Sequence, residues 1–203
     1  MLVFAGDIGG ACSDELFVYS PEVDQWAKLG TTGQGPSARY GHGAVVVDTK
    51  LLVFGGADRY AQSSGTRYFN DTFQLDLETM VWEACRAEHT PESRYGHSVT
   101  KVGSHVYMFG GYGRDGRFAD LWEWRPVSRS WVEVEAGKPA PLGRTEHSAV
   151  AIGADTLIVF GGSAASGPLN DIYEFNIPYS KWSRVTFQAS KRAPASGVTY
   201  PGK

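Results

Sequence analysis

Cysteine is scarce in this chain. Cys12 and Cys85 are the only two, they lie far apart, and neither sits at a metal-ligand spacing. Two free thiols in a reducing compartment are the expected state, with one disulfide as the alternative. Positive charge is not in excess either. The net charge of −3 offers no basic face for sequence-independent phosphate contacts, so no nucleic-acid partner is expected, although a local basic patch stays open. No apolar run approaches the roughly 20 residues of a membrane-spanning helix. The start, Met1-Leu2-Val3-Phe4-Ala5-Gly6, lacks the basic region and long apolar core of a secretory signal. The expectation is a soluble chain in the cytoplasm, with the nucleus as the alternative. Also missing are GxSxG, HExxH, a P-loop, and a GxGxxG opening a helix. No catalytic constellation is visible, and no cofactor is expected.

What is present is aromatic side chains and glycine. A hydrophobic fraction of 42% with 20% charged residues is in the globular range and argues against disorder. Aromatics at 13% beside 25 glycines point to short strands joined by tight turns.

The decisive feature is an internal repeat. Apolar runs ending in Phe and a glycine pair occur at Leu51 to Gly56, Val106 to Gly111 and Leu157 to Gly162. The pairs are Gly55-Gly56, Gly110-Gly111 and Gly161-Gly162. A weaker copy, Leu2 to Gly6, has Ala5 in place of the first glycine. The markers Phe4, Phe54, Phe109 and Phe160 are separated by 50, 55 and 51 residues. Nine residues after Phe17, Phe73, Trp122 and Tyr173 stand Trp26, Trp82, Trp131 and Trp182. Pro36, Pro91 and Pro141 are each followed, three residues on, by Arg39, Arg94 and Arg144. Three further on come His42, His97 and His147.

On these residues the whole chain resembles the kelch-repeat family, whose period is close to 50 residues. The PxxRxxH form is similar to free-standing kelch scaffolds of trafficking and polarity proteins, and less so to BTB-kelch ligase adaptors; no BTB or F-box segment is visible. The resemblance implies an all-β kelch β-propeller of about four four-stranded blades and a protein-binding role. The blades fall near 1–30, 37–86, 92–135 and 142–187. The tail, 188–203, is a candidate closing strand for the first blade, which starts without its own first strand. A closed four-bladed ring and an arc of a larger propeller are both open. An arc would leave a blade face for self-association or for further blades.

Within each repeat the small and β-branched segments Gly43–Val47, Ser98–Val102 and Ser148–Ile152 read as first strands. The apolar runs read as second strands covered on both faces. The third carries the repeated aromatic and the fourth the Trp, separated by turns at 21–24, 76–79, 126–130 and 178–180. The recurring tryptophans are expected to fill the space between adjacent blades.

The repeated side chains carry two readings each. His42, His97 and His147 serve their own blades, or converge on a zinc or copper ion. Arg39, Arg94 and Arg144 are structural donors, or a guanidinium ring for carboxylates or phosphates. Enzymes that share the fold need residues this chain does not match: Cys12, expected in a loop, and Cys85 fit no copper-oxidase pattern, and no Glu-xxx-Asp-xxx-His run occurs. A metalloenzyme or a structural subunit of a larger assembly remains the alternative to a scaffold. Asn70-Asp71-Thr72 matches a glycosylation acceptor, but Asn170-Asp171 repeats it without the Thr, which favours a turn.

The connections between second and third strands vary most, and loops held by a rigid frame carry function. Two neighbouring ones bring Arg59, Tyr60, Arg67 and Tyr68, and Tyr112, Arg114 and Arg117, residue types enriched in interface hot spots. The ligand expected there is a partner protein, through an acidic or phosphorylated segment. In kelch adaptors that capture peptides, positions just after the glycine pair contact the ligand. Here these are Asp7, Ala57, Tyr112 and Ser163, of which only Tyr112 is well suited.

Overall fold

The computed structural model describes residues 1–61, 65–87 and 89–186. These form small antiparallel sheets stacked in chain order. Three strands, Leu2–Asp7, Cys12–Ser20 and Gln25–Leu29, make blade 1. Blade 2 runs Gly43–Val47, Lys50–Phe54, Thr72–Asp76 and Val81–Cys85. Blade 3 runs Ser98–Val102, His105–Phe109, Leu121–Arg125 and Ser130–Glu133. Blade 4 runs Ser148–Ile152, Thr156–Phe160, Ile172–Asn176 and Lys181–Val185. The first strand of blade 3 touches the first strands of blades 2 and 4, so these strands lie side by side along the inner edge.

The glycine pair ends the second strand because the chain there turns left-handed against a neighbour. Gly55 and Gly56 have φ of 62° and 99°. A Cβ on Gly55 would stand 2.8 Å from the Arg94 carbonyl oxygen of the next blade, and one on Gly56 2.9 Å from the His42 Cβ of its own. Only glycine meets both demands without cost. Blade 1 has Ala5 at the first position and still takes φ 57°, a conformation that costs an L residue roughly 1–2 kcal/mol.

Three apolar cores sit between blades rather than within them. Each is built from the face one blade presents forward and the face the next presents backward. At each seam a second-strand Phe meets the following blade's Trp. Phe4 and Trp82 lie 5.2 Å apart, Phe54 and Trp131 5.3 Å, and Phe109 and Trp182 5.2 Å. The buried Trp131 indole also donates across its seam to Thr72 Oγ1 at 3.1 Å. A second bond set reinforces the seam: the amides of Gly6, Gly56 and Gly111 donate to the carbonyls of Arg39, Arg94 and Arg144.

Four features differ from the sequence-based expectation. Trp26 is not buried between blades but is 53% exposed, since no preceding Phe meets it among the described residues. Its indole rests instead on Tyr19, at 5.0 Å. Cys12 opens a strand rather than lying in a loop, although both cysteines are free as expected. The connections after the glycine pairs fold as small hairpins: Ala57–Asp58 with Arg67–Tyr68, Tyr112–Gly113 with Gly116–Arg117, and Ser163–Ala164 with Gly167–Pro168. Finally, the linker strand Thr32–Gly33 adds in parallel to the outer edge of blade 2. The closing strand expected at 188–203 lies outside the described residues.

Truncating Trp131 to Ala opens a cavity and should cost about 3–5 kcal/mol, whereas Trp26→Ala should cost under about 1 kcal/mol. Urea unfolding of the two variants beside the wild type measures the contrast; equal losses would contradict the seam geometry.

Candidate partner-binding mouth

The repeated arginines form the floor. Arg39, Arg94 and Arg144 are fully buried. Each guanidinium donates twice to an aspartate of its own blade: Arg39 to Asp71 (2.5 and 3.0 Å), Arg94 to Asp120 (2.6 and 2.8 Å), Arg144 to Asp171 (2.6 and 3.1 Å). Each also donates to the carbonyl of the first glycine of its pair, Gly55, Gly110 or Gly161, at 2.8 to 3.0 Å. The Arg144 hydrogen bonds hold Asp171 below the ordinary carboxylate range. Phe69 and Phe118 lie under the Arg39 and Arg94 guanidinium groups at 4.2 and 3.8 Å. With side chains engaged this way, the arginines face the blade interiors. The Asn-Asp turns supply the aspartates.

Beside them lies a layer of imidazoles. His42, His97 and His147 stand edge-on to Phe4, Phe54 and Phe109 of the preceding blade, with ring centres 5.3 to 5.4 Å apart. His147 Nε2 is 2.9 Å from Ser98 Oγ, whereas neither His97 nitrogen has a hydrogen-bond partner among the described residues. Burial, with the adjacent arginine charge, pushes His42 and His147 down to about 4 and His97 well below 6.5. The rings are therefore neutral packing groups at neutral pH. Among the described residues no three His, Cys, Asp or Glu side chains lie close enough to share a metal ion.

Above this floor the hairpins and the residues that follow each arginine make a rim. Tyr40, Tyr95 and Thr145 pair with Ala57, Tyr112 and Ser163 through isolated bridges. This fixes four tyrosines against one another across the seam of blades 2 and 3. Tyr40 lies 5.5 Å from Tyr95. Tyr95 stacks with Tyr68 at 5.9 Å and meets Tyr112 edge-on at 5.9 Å, and Tyr68 and Tyr112 are 6.4 Å apart. All four are partly exposed. Partial burial raises the phenols of Tyr40, Tyr68 and Tyr95. Tyr95 seats on Gly41, where a Cβ would stand 3.0 Å from its ring.

Of the seven residues singled out from sequence, Tyr68 and Tyr112 meet in this cluster. Arg59 and Tyr60 flank its blade 1 side. The Arg59 guanidinium lies 4.9 Å from the Tyr40 ring centre and is paired with Asp7, and the Tyr60 hydroxyl accepts from the Gly10 amide at 3.2 Å. Hydrogen bonding from the Gly9 amide and from Arg59 keeps Asp7 ionised below its ordinary range. Arg117 flanks the other side, 5.5 Å from the Tyr112 ring centre, and donates to the Ser163 carbonyl at 2.9 Å. Arg67 lies over Phe69 at 5.0 Å, and Arg114 is exposed at its hairpin tip. Sequence reasoning missed Tyr40 and Tyr95. The signal was available as the Arg-Tyr dipeptide at 39–40 and 94–95, broken by Thr145 in blade 4.

Stacked sheets with a buried Arg-Asp clamp, a glycine pair and a Phe-Trp seam define a kelch-type propeller unit. Consistent with that class, residues 1–200 match the KLHDC2/KLHL20/DRC7 Kelch-repeats domain family. The chain belongs to the kelch-repeat family. It is 29% identical to Kelch domain-containing protein 3 of Bos taurus over 193 residues, covering 88% of this chain and 48% of that protein. It is 31% identical to Tip elongation aberrant protein 1 of Schizosaccharomyces pombe over 176 residues, covering 81% and 15%. The Leucine-zipper-like transcriptional regulator 1 homolog of Drosophila melanogaster is 26% identical over 200 residues, covering 97% and 20%. The chain thus spans about half, or less, of these relatives. No helix among the described residues is long and apolar enough to cross a membrane.

The histidine layer makes stability depend on pH. Below about 6.5 the unfolded chain takes up protons that the folded imidazoles, titrating near 4, refuse, so stability falls as pH drops. Each of His42 and His147 should remove about 2 kcal/mol between pH 7 and pH 5. Asp171 acts in the same direction at lower pH, as its carboxylate becomes protonated. Urea unfolding across this range should show the slope, and a His42→Asn, His147→Asn variant should flatten it. An unchanged slope would contradict the buried, neutral assignment.

Proposed function

We propose that this chain is a non-catalytic interaction scaffold that holds a partner protein at the tyrosine-lined mouth. The observation that carries the reading is the convergence of Tyr40, Tyr68, Tyr95 and Tyr112, from two blades, on one partly exposed rim. Tyrosine offers large contact area with few rotatable bonds, the property that makes it frequent at hot spots. The rim is fixed beneath by the buried arginines, so little ordering is needed when a ligand binds.

The favoured ligand is an extended protein segment carrying acidic or phosphorylated residues. Arg59 and Arg117 are already engaged with Asp7 and Ser163. The charges that would meet an acidic group are therefore Arg67 and Arg114, both exposed. Aromatic contact supplies most of the affinity in this reading, and charge sets the preference and the rate of encounter.

A displayed random-peptide library selected on the wild-type chain supplies the probe. Tyr95→Ser with Tyr112→Ser should weaken the selected peptides by at least about tenfold. Arg67→Glu with Arg114→Glu should weaken acidic peptides selectively, with a smaller effect at high salt. A melting scan checks that both variants fold. Peptides that bind both variants as they bind the wild type would exclude this mouth.

A further inference from the structure

The blade 1 flank of the mouth holds an anion of its own. Asp7 stands just after Ala5-Gly6, the blade 1 counterpart of the glycine pair, and reaches across the seam to the first hairpin of blade 2. Its carboxylate accepts from the Gly9 amide at 2.9 Å and from the Tyr60 hydroxyl at 3.2 Å, and it pairs with the Arg59 guanidinium. The same guanidinium lies over the rings of Tyr40 and Tyr60, at 4.9 and 5.5 Å. The place where a bound acid would meet this end of the rim therefore already contains one. The other flank differs: Arg117 bonds only the neutral oxygens of Ser163. An arginine at the rim can be oriented without a countercharge, so orientation alone does not account for Asp7.

We propose that Asp7 is a built-in competitor at Arg59, so that this flank of the mouth admits a phosphate monoester and turns away a carboxylate. The proposal rests on the rim reading above and narrows its ligand to a phosphorylated protein segment. A ligand carboxylate carries the same charge as Asp7, and it must displace a group tethered at the site, whose effective concentration is on the order of millimolar. A phosphoserine brings about two negative charges and three acceptor oxygens. Only Nη2 of the Arg59 guanidinium is engaged among the described residues, so its planar fork offers a phosphate the bidentate contact that Asp7 does not make. The exchange is accessible, since the Arg59 side chain is 51% exposed and an exposed ion pair is weak. Asp7 is not stranded by it. The Gly9 amide is the largest influence holding its carboxyl below the ordinary range, and the Tyr60 hydroxyl stays beside it. Arg67 and Arg114 receive acidic groups of either kind, and Arg59 is the charge that tells them apart.

An acidic peptide selected on the wild-type chain is synthesised with glutamate or phosphoserine at each acidic position in turn, and binding is measured by calorimetry. At one position phosphoserine should bind the wild type at least about tenfold more tightly than glutamate. Asp7→Asn should tighten the glutamate form at that position about two- to fivefold, the worth of an exposed ion pair. Arg59→Gln should remove the phosphate advantage and leave the glutamate form unchanged. Adding Asp7→Asn to Arg59→Gln should then tighten nothing, which separates competition from a general change of charge. Melting scans check that the variants fold. Equal binding of both forms at every position, a glutamate form that ignores Asp7→Asn, or a phosphate advantage that survives Arg59→Gln overturns the competitor and leaves the rim standing. The Tyr95→Ser, Tyr112→Ser variant should weaken both forms alike, and peptides indifferent to it would overturn the rim and this proposal together.

Discussion

A four-stranded sheet of five-residue strands cannot bury its own faces, and the interleaving of a Phe from one blade with a Trp of the next removes that difficulty. The ring centres sit 5.2 to 5.3 Å apart at all three internal seams, and the aliphatic residues around them complete one shared core per seam. Folding of any blade is thereby tied to folding of its neighbours, as in other repeat architectures. The glycine pair belongs to the same device: without its missing side chains the next blade's backbone could not come close enough for the rings to meet.

The arginine clamp connects this packing to the surface. Its side chain is committed to its own blade and its backbone to the preceding one, so the residue that follows it is aimed with little freedom. In blades 2 and 3 that residue is a tyrosine, and the result is a rim of aromatic rings on a base of buried ion pairs. Buried ion pairs contribute modestly to net stability, and their service here is geometric. The imidazole layer beside them is neutral at neutral pH.

Much of this was legible in the sequence because the fold is written four times. The strand positions follow from the alternation and from the Phe-Gly-Gly punctuation, and the first strands Gly43–Val47, Ser98–Val102 and Ser148–Ile152 stand where the pattern puts them. What repetition cannot reveal is what differs between copies. Trp26 carries the same motif as Trp131 but has no neighbour on its outer side among the described residues, and burial is a property of neighbours rather than of motifs. The tyrosine rim was only half visible. Tyr68 and Tyr112 lie in conspicuous variable loops, while Tyr40 and Tyr95 hide inside the structural motif. Their meeting depends on the curvature between blades, which no single repeat encodes. The ion pairs that engage Arg59 and Arg117 are likewise made by residues of adjacent blades, far away in the chain.

The seams share one further property. Every internal one sets a second-strand Phe against the next blade's Trp and a glycine amide against the next arginine's carbonyl, so duplicating or deleting a whole unit of about 50 residues preserves those shared contacts. Such an event changes the number of blades and keeps the part of the adhesive chemistry that all seams share. Blade number is then selected by how much angular mismatch the ring tolerates, and tandem duplication of coding sequence becomes the most direct path between propellers of different size.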